Sequence, residues 1–156
     1  MPEGQPVLTR MTELVDQWEA AQDRRAIFLG CYRLMTRNML DAIEADRFHD
    51  DIWVSNLLHG FSDYYFHALD LYEQASQATP QVWKLAHDAT RDAEVSTMQH
   101  LLLGVNAHIN FDLVFALYDQ LAPEWDSLSA EQRALRHADH EMVNRIIGET
   151  VDAVDL

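Results

Sequence analysis

An all-α, single-domain bundle of five or six helices, packed around a buried central helix, is what this sequence predicts. Two observations carry that expectation. Gly and Pro are scarce, at 5 and 4 of 156 residues, and strand-like alternation punctuated by tight NG or DG turns is absent. Apolar residues instead recur at helical spacing almost throughout the chain. Hydrophobic residues make up 48% and charged residues 24% of the total, so one domain of residues 1–156 has enough material for a core.

The elements follow in order. Pro2 and Pro6 confine a flexible arm to residues 1–6. A first helix runs from about Val7 to Gln22, with Met11, Leu14, Val15 and Trp18 on one face. Asp23 can cap a second, which carries Ile27, Cys31, Leu34 and Leu40 and reaches about Ala45. Asp50 or Asp51 starts a third, running to about Ala75. Thr79 followed by Pro80 starts a fourth, with Thr as cap and Pro in the first turn. It ends near Asp92 or kinks into the fifth, which spans about Thr97 to Gln120 and is stopped by Pro123. Ser129 opens a sixth helix, with Gln132 placed to close a capping box, and this helix runs to about Val154.

Composition excludes several functions. The net charge of −15 repels phosphate backbones and anionic membrane surfaces, and no basic cluster offsets it. Nucleic acid and membrane are therefore not expected partners, and no long uninterrupted apolar run indicates a span. The N-terminus lacks a secretory pattern. Cys31 is the only cysteine, so it cannot form an intrachain disulfide and reads as a small core residue. The expected setting is cytoplasmic, with a small-molecule ligand and room for a homodimer.

The fifth helix is the most informative segment. From Leu101 to Leu117 its apolar residues lie on all sides, the pattern of a helix buried all round. Its polar members, Asn106, His108, Asn110 and Asp112, then face protein and need partners. His108 and Asp112 are four apart and share a face; Asn106 and Asn110 share another. His100, two turns before His108, extends the first face, and Gly104 leaves room for a neighbouring helix or ligand to approach. Two readings stand side by side: a polar network that fixes helix register, or a site in which His108 and Asp112 bind a metal or line a pocket.

The third helix adds His59, Asp63 and His67 at successive four-residue steps. Side chains so spaced can hold a metal jointly. If the third and fifth helices pack together, His59, Asp63, His108 and Asp112 could converge on zinc, manganese or iron. The sixth helix offers His137 with Glu141 and His140 with Asn144, the latter pair expected to point inward beside Val143, Ile146 and Ile147. His49 and His87 lack spaced partners and read as surface residues, His87 being drawn in if the fourth helix covers the site. Arg33 and Tyr32 are placed to reach a buried carboxylate such as Asp112 or Asp63.

The segment LLLGVNAHINFDL resembles the GxNAHINxDL signature of a bacterial family of unknown function, in which a Gln-His pair precedes the motif. Here those positions are Gln99, His100, Gly104, Asn106, Ala107, His108, Ile109, Asn110, Asp112 and Leu113. DRRAIFLGCYRLMT resembles the family's early helix, and Asp139-His140 with Asn144 its late one. The resemblance implies an all-helical fold and brings no established activity. Members are longer at the C-terminus, which implies that a helix of the family fold is missing from this chain. A looser similarity is to zinc-dependent phospholipases C and nucleases, whose HxxxD and HxxxE pairs hold three zinc ions; His108–Asp112, His59–Asp63 and His137–Glu141 look like such pairs. With no N-terminal Trp as a ligand and a short chain, the similarity implies fewer metals or none.

Three functions follow as expectations. The first is a metal-dependent hydrolase with His59, Asp63, His108 and Asp112 as ligands and His140 or His100 handling a proton. The second is a metal-free enzyme of small-molecule metabolism. There His108, polarised by Asp112, is the acid–base group, Asn106 or Asn110 binds a carbonyl, and Tyr64 and other aromatic residues line the pocket. The third is a non-catalytic binding or interaction protein.

Overall fold

The computed structural model describes residues 5–153, and among them no strand occurs. Helices α1 (Gln5–Ala20), α2 (Arg25–Glu44), α3 (Asp51–Glu73), α4 (Gln81–Ala89) and α5 (Thr97–Ala107) are followed by a π turn (His108–Asp112). Then come α6 (Leu113–Leu121), a short 3-10 turn (Trp125–Ser127) and α7 (Ala130–Asp152). The chain is an all-α bundle of one domain, as its periodicity predicts. Gln5 and Pro6 are already helical, so the rest of the expected arm lies outside the described residues. Val154, the expected end of the last helix, lies outside them too.

Several ends are built as the sequence dictates. Asp50 Oδ1 accepts the Trp53 N–H at 2.9 Å and caps α3. Ser129 and Gln132 form a reciprocal capping box on α7, and Ser96 and Gln99 form another on α5. The start of α4 differs by one residue. Pro80 itself is the cap, with an extended backbone, while the Thr79 hydroxyl turns back to the Ser76 carbonyl. α4 stops at Ala89 and does not continue into α5.

The centre of the bundle is α2, which packs against α1, α3, α5 and α7. Its inward face presents Leu29, Tyr32, Met35, Met39 and Ala42. α3 lies beside it and buries Trp53, Val54, Leu57, Leu58, Phe61, Tyr65, Phe66 and Leu69. This corrects the expectation that the Thr97–Gln120 helix is central and buried all round. α5 and α6 cover α2, α3 and α4 from one side only. Leu102 and Val114 are more than half exposed and Tyr118 is 67% exposed. Thr97–Leu121 is long and apolar enough to cross a membrane by length and composition alone, a test that the core helix of a soluble bundle also passes.

The last helix is tied to α3 by a buried carboxylate. Asp139 accepts the backbone N–H of His49 at 2.8 Å and of Asp50 at 3.0 Å. Those two groups precede α3 and have no helical partner of their own. Arg136, one turn earlier on α7, pairs with Asp50 and Glu124.

Candidate functional site

His108 sits at the start of the π turn, where the Leu113 N–H reaches back five residues to the His108 carbonyl. Such turns carry one more residue than an α-turn and recur at functional positions in helices. Both His108 and Asp112 are 1% exposed. His108 Nδ1 lies 2.9 Å from Asp112 Oδ2, and a carboxylate acceptor selects the tautomer with the proton on Nδ1. The same oxygen accepts the Trp83 indole N–H from α4, also at 2.9 Å.

Aromatic rings enclose the imidazole. Phe61 stacks parallel to it at 3.6 Å between centroids, and Tyr32 meets it edge-on at 4.2 Å. Phe28, Tyr65 and Trp83 stand farther out at 5.7, 5.9 and 6.0 Å. Desolvation pushes the His108 pKa below its ordinary value, and the bond to Asp112 opposes that without reversing it. The ring is therefore neutral at pH 7. Its Nε2 is buried and has no hydrogen-bond partner. Burial also pushes Tyr32 far above the ordinary tyrosine range.

A narrow apolar crevice between α2, the π turn and α7 reaches this group. Its cavity volume is about 20 Å³, and it is lined by His108, Tyr32, Cys31, Ile109, Ile147 and Val151 among others. Cys31 is buried, with its thiol pushed up in pKa by desolvation, in keeping with a core residue. Gly104 does make room for a neighbour, which is the ring of Phe28: a Cβ added there would lie 2.4 Å from it.

The other expected site residues are dispersed. Asn106 and Asn110 are exposed, on the helix face opposite His108, and bond to each other at 2.9 Å. They do not face the protein interior because that side of α5 has no neighbour. His59 is half-buried and holds the Ser55 carbonyl at 2.7 Å, while Asp63 and His67 are exposed. The reason is helical phase. α3 presents Phe61 to His108, and residues two positions either side of Phe61 point elsewhere. Among the described residues no group of three or more His, Cys, Asp or Glu is placed to hold a metal ion. Tyr64 donates to Asp119 at 2.6 Å, at the bundle's edge. His140 is half-buried beside an exposed Asn144, and His137 and Glu141 are exposed. Arg33 reaches Asp16 at 3.9 Å and neither Asp112 nor Asp63.

Two participants lack a local signature. Trp83 joins the site from 29 residues away. A buried indole requires an acceptor, and Asp112 is the one carboxylate in the apolar stretch Leu101–Leu117, which is the clue available beforehand. His87, read as a surface residue, is 4% exposed and stacks on Trp83 at 5.3 Å. Its spacing of four from Trp83 puts both on one face of α4. His100 does not extend the His108 face; it is buried on the far side of Trp83, near His87.

No curated protein and no solved structure matches the chain. A family model does, over residues 5–156, which takes in the whole bundle and every residue of the His108 cage. The chain therefore belongs to the family of unknown function described as DUF5995.

Proposed function

We propose that this protein is a metal-free acid–base catalyst for a small, largely apolar molecule, working through Nε2 of His108. One observation carries the reading. A neutral imidazole is fixed through Nδ1 by a carboxylate that Trp83 orients in turn, and its other nitrogen is left without a partner beside an apolar crevice. A base held by a third group, with a free lone pair in a water-poor pocket, is the arrangement that general-base chemistry uses. The ligand class follows from the walls: a compact aromatic or aliphatic body with one dissociable proton or hydroxyl.

Metal-dependent hydrolysis has less support. His59 and Asp63 lie off the face that meets His108, and Asp112 Oδ2 already accepts two N–H groups. A purely structural polar core is the competing reading, and it predicts that no solute reaches Nε2.

The test uses 5-nitrobenzisoxazole, a small apolar molecule that opens when a base removes its one carbon-bound acidic proton. The expected result is ring opening faster than that given by free imidazole, unaffected by chelator, abolished in His108→Gln and retained in His59→Gln. Carbethoxylation with diethyl pyrocarbonate, read by peptide mapping, measures access independently. His108 is expected to react in the folded protein more slowly than exposed His49, His67 and His137, and more slowly again in Ile147→Phe. A His108 that stays unlabelled while those three react fully, together with no ring opening above buffer, refutes the proposal.

A further inference from the structure

Beside Trp83 lies a second recess that the catalytic reading does not use. α2, α4 and α5 form its walls, and its cavity volume is about 10 Å³, the space of about one water molecule. Arg24, Arg25, His87, His100, Thr90 and Trp83 are among its lining residues. His87 and His100 are 4% and 3% exposed. His87 Nε2 is buried without a hydrogen-bond partner, and the His100 ring has only the Val95 carbonyl beside it, with its other nitrogen unpartnered. Buried imidazole nitrogens left unpaired around one recess are a costly arrangement. A ligand that supplies their partners recovers that cost.

Electrostatics select its charge. Arg25 is neutralised by Asp23 and Glu73. Arg24 is different: its guanidinium bonds to two backbone carbonyls, of Asp92 and Val95, and forms no ion pair among the described residues. Its positive charge is thus uncompensated at the recess wall. A second cation, a metal included, is disfavoured there, and an anion is favoured. Neutral imidazoles each present one N–H, and a carboxylate offers one oxygen to each. The recess is narrow, so only the smallest acids, seated at its mouth, can reach the two rings.

We infer that this recess binds the carboxylate end of a small organic acid, held by N–H groups of His87 and His100 under the charge of Arg24. The recess shares the rings of Phe28, Tyr65 and Trp83 with the His108 cage but uses no atom of His108, so it is tested separately from the catalytic reading. Trp83 connects the two: one face stacks on His87, and its indole N–H holds Asp112. An acid seated against His87 is in position to alter how firmly Asp112 is held.

The groups that face the two histidines make binding dependent on pH. Arg25, Arg91, Asp23 and Asp88 surround His87, and Arg24 and Asp92 are near His100. A bound carboxylate favours the protonated rings, so affinity rises as pH falls from 7 toward 5 while the protein stays folded.

Formate and acetate, titrated at constant ionic strength, are the probes. Long-range proton–nitrogen NMR of the labelled histidine rings is the readout. The expected result is saturable shifts of the His87 and His100 ring nitrogens, with the His108 ring moving less. Arg24→Gln removes the charge and should weaken binding by about tenfold, with circular dichroism confirming the fold. His100→Phe should abolish it, with circular dichroism confirming the fold; if that variant unfolds, Arg24→Gln alone decides. Absence of saturation in the folded wild-type protein overturns the inference. So does equal affinity in Arg24→Gln, or binding of inorganic phosphate or chloride in preference to both carboxylates.

Discussion

Replacing Asp112 tests how much its shared oxygen contributes. That oxygen accepts both the His108 Nδ1–H and the Trp83 Nε1–H at 2.9 Å. In Asp112→Leu the size is nearly kept and both donors lose their acceptor in a site that water does not reach. At about 1–3 kcal/mol for each stranded donor, the loss is about 2–6 kcal/mol. That is a large part of the 5–15 kcal/mol that holds a typical domain together. Asp112→Asn differs in kind. Both present bonds go to a single oxygen, so an amide oxygen placed there keeps both, and only the charge assistance is lost, at about 1 kcal/mol. Urea denaturation of the three proteins at pH 7, with equal slopes confirming two-state behaviour, measures the difference. If Asp112→Leu is no less stable than Asp112→Asn, the carboxylate is not what satisfies His108 and Trp83, and the reasoning fails.

Other predictions follow from the same packing. Gly104→Ala drives a methyl into Phe28, whose Cβ as well as its ring lies within 2.8 Å of the added atom, so the α2–α5 contact must shift. A destabilisation of about 1–3 kcal/mol and a weakened His108 cage, seen in near-ultraviolet dichroism, are expected. His87 titrates at about 4 instead of its ordinary 6.5, chiefly because burial disfavours its charged form. Its neutral form supports the fold fully above pH 6.5, and that support is lost as pH falls toward about 4. At about 1.4 kcal/mol per pH unit, about 3 kcal/mol is at stake, and His87→Gln should flatten the acid limb of the stability curve by about that amount. Asp139→Ala strands the N–H groups of His49 and Asp50 and should cost about 1–3 kcal/mol, with faster amide exchange at the start of α3.

The bundle, most helix starts and the His108–Asp112 pair were legible because each rests on local spacing. A cap and its acceptor, or two side chains one turn apart, need nothing from elsewhere in the chain. What escaped depends on distant partners. That Trp83 and not an arginine would hold Asp112 is settled by how α4 lies across α5. The burial of His87 and the separation of His100 from His108 follow from the same crossing. The reading of Thr97–Gln120 as buried all round failed for a different reason. Apolar residues on every side permit full burial without requiring it, and α5 and α6 have neighbours on one side only. Helical phase also separates His59, Asp63 and His67 of α3 from His108, because Phe61 occupies the direction that faces it.

The π turn at His108–Asp112 makes the rod from Thr97 to Leu121 one residue longer than its two packed faces require. Removing a residue from an ordinary helix turns everything beyond it by about a quarter of a revolution and tears its face from the core. Here the surplus residue lies within the turn. A one-residue deletion between Ile109 and Phe111 can be absorbed by tightening the turn to α geometry, leaving Leu113 and Ala116 on the core. The same deletion in α2 or α3 has no slack to draw on. The tolerated deletion would still change the separation of His108 and Asp112 along the chain from four residues to three, so the bundle would survive an edit that dissolves the pair.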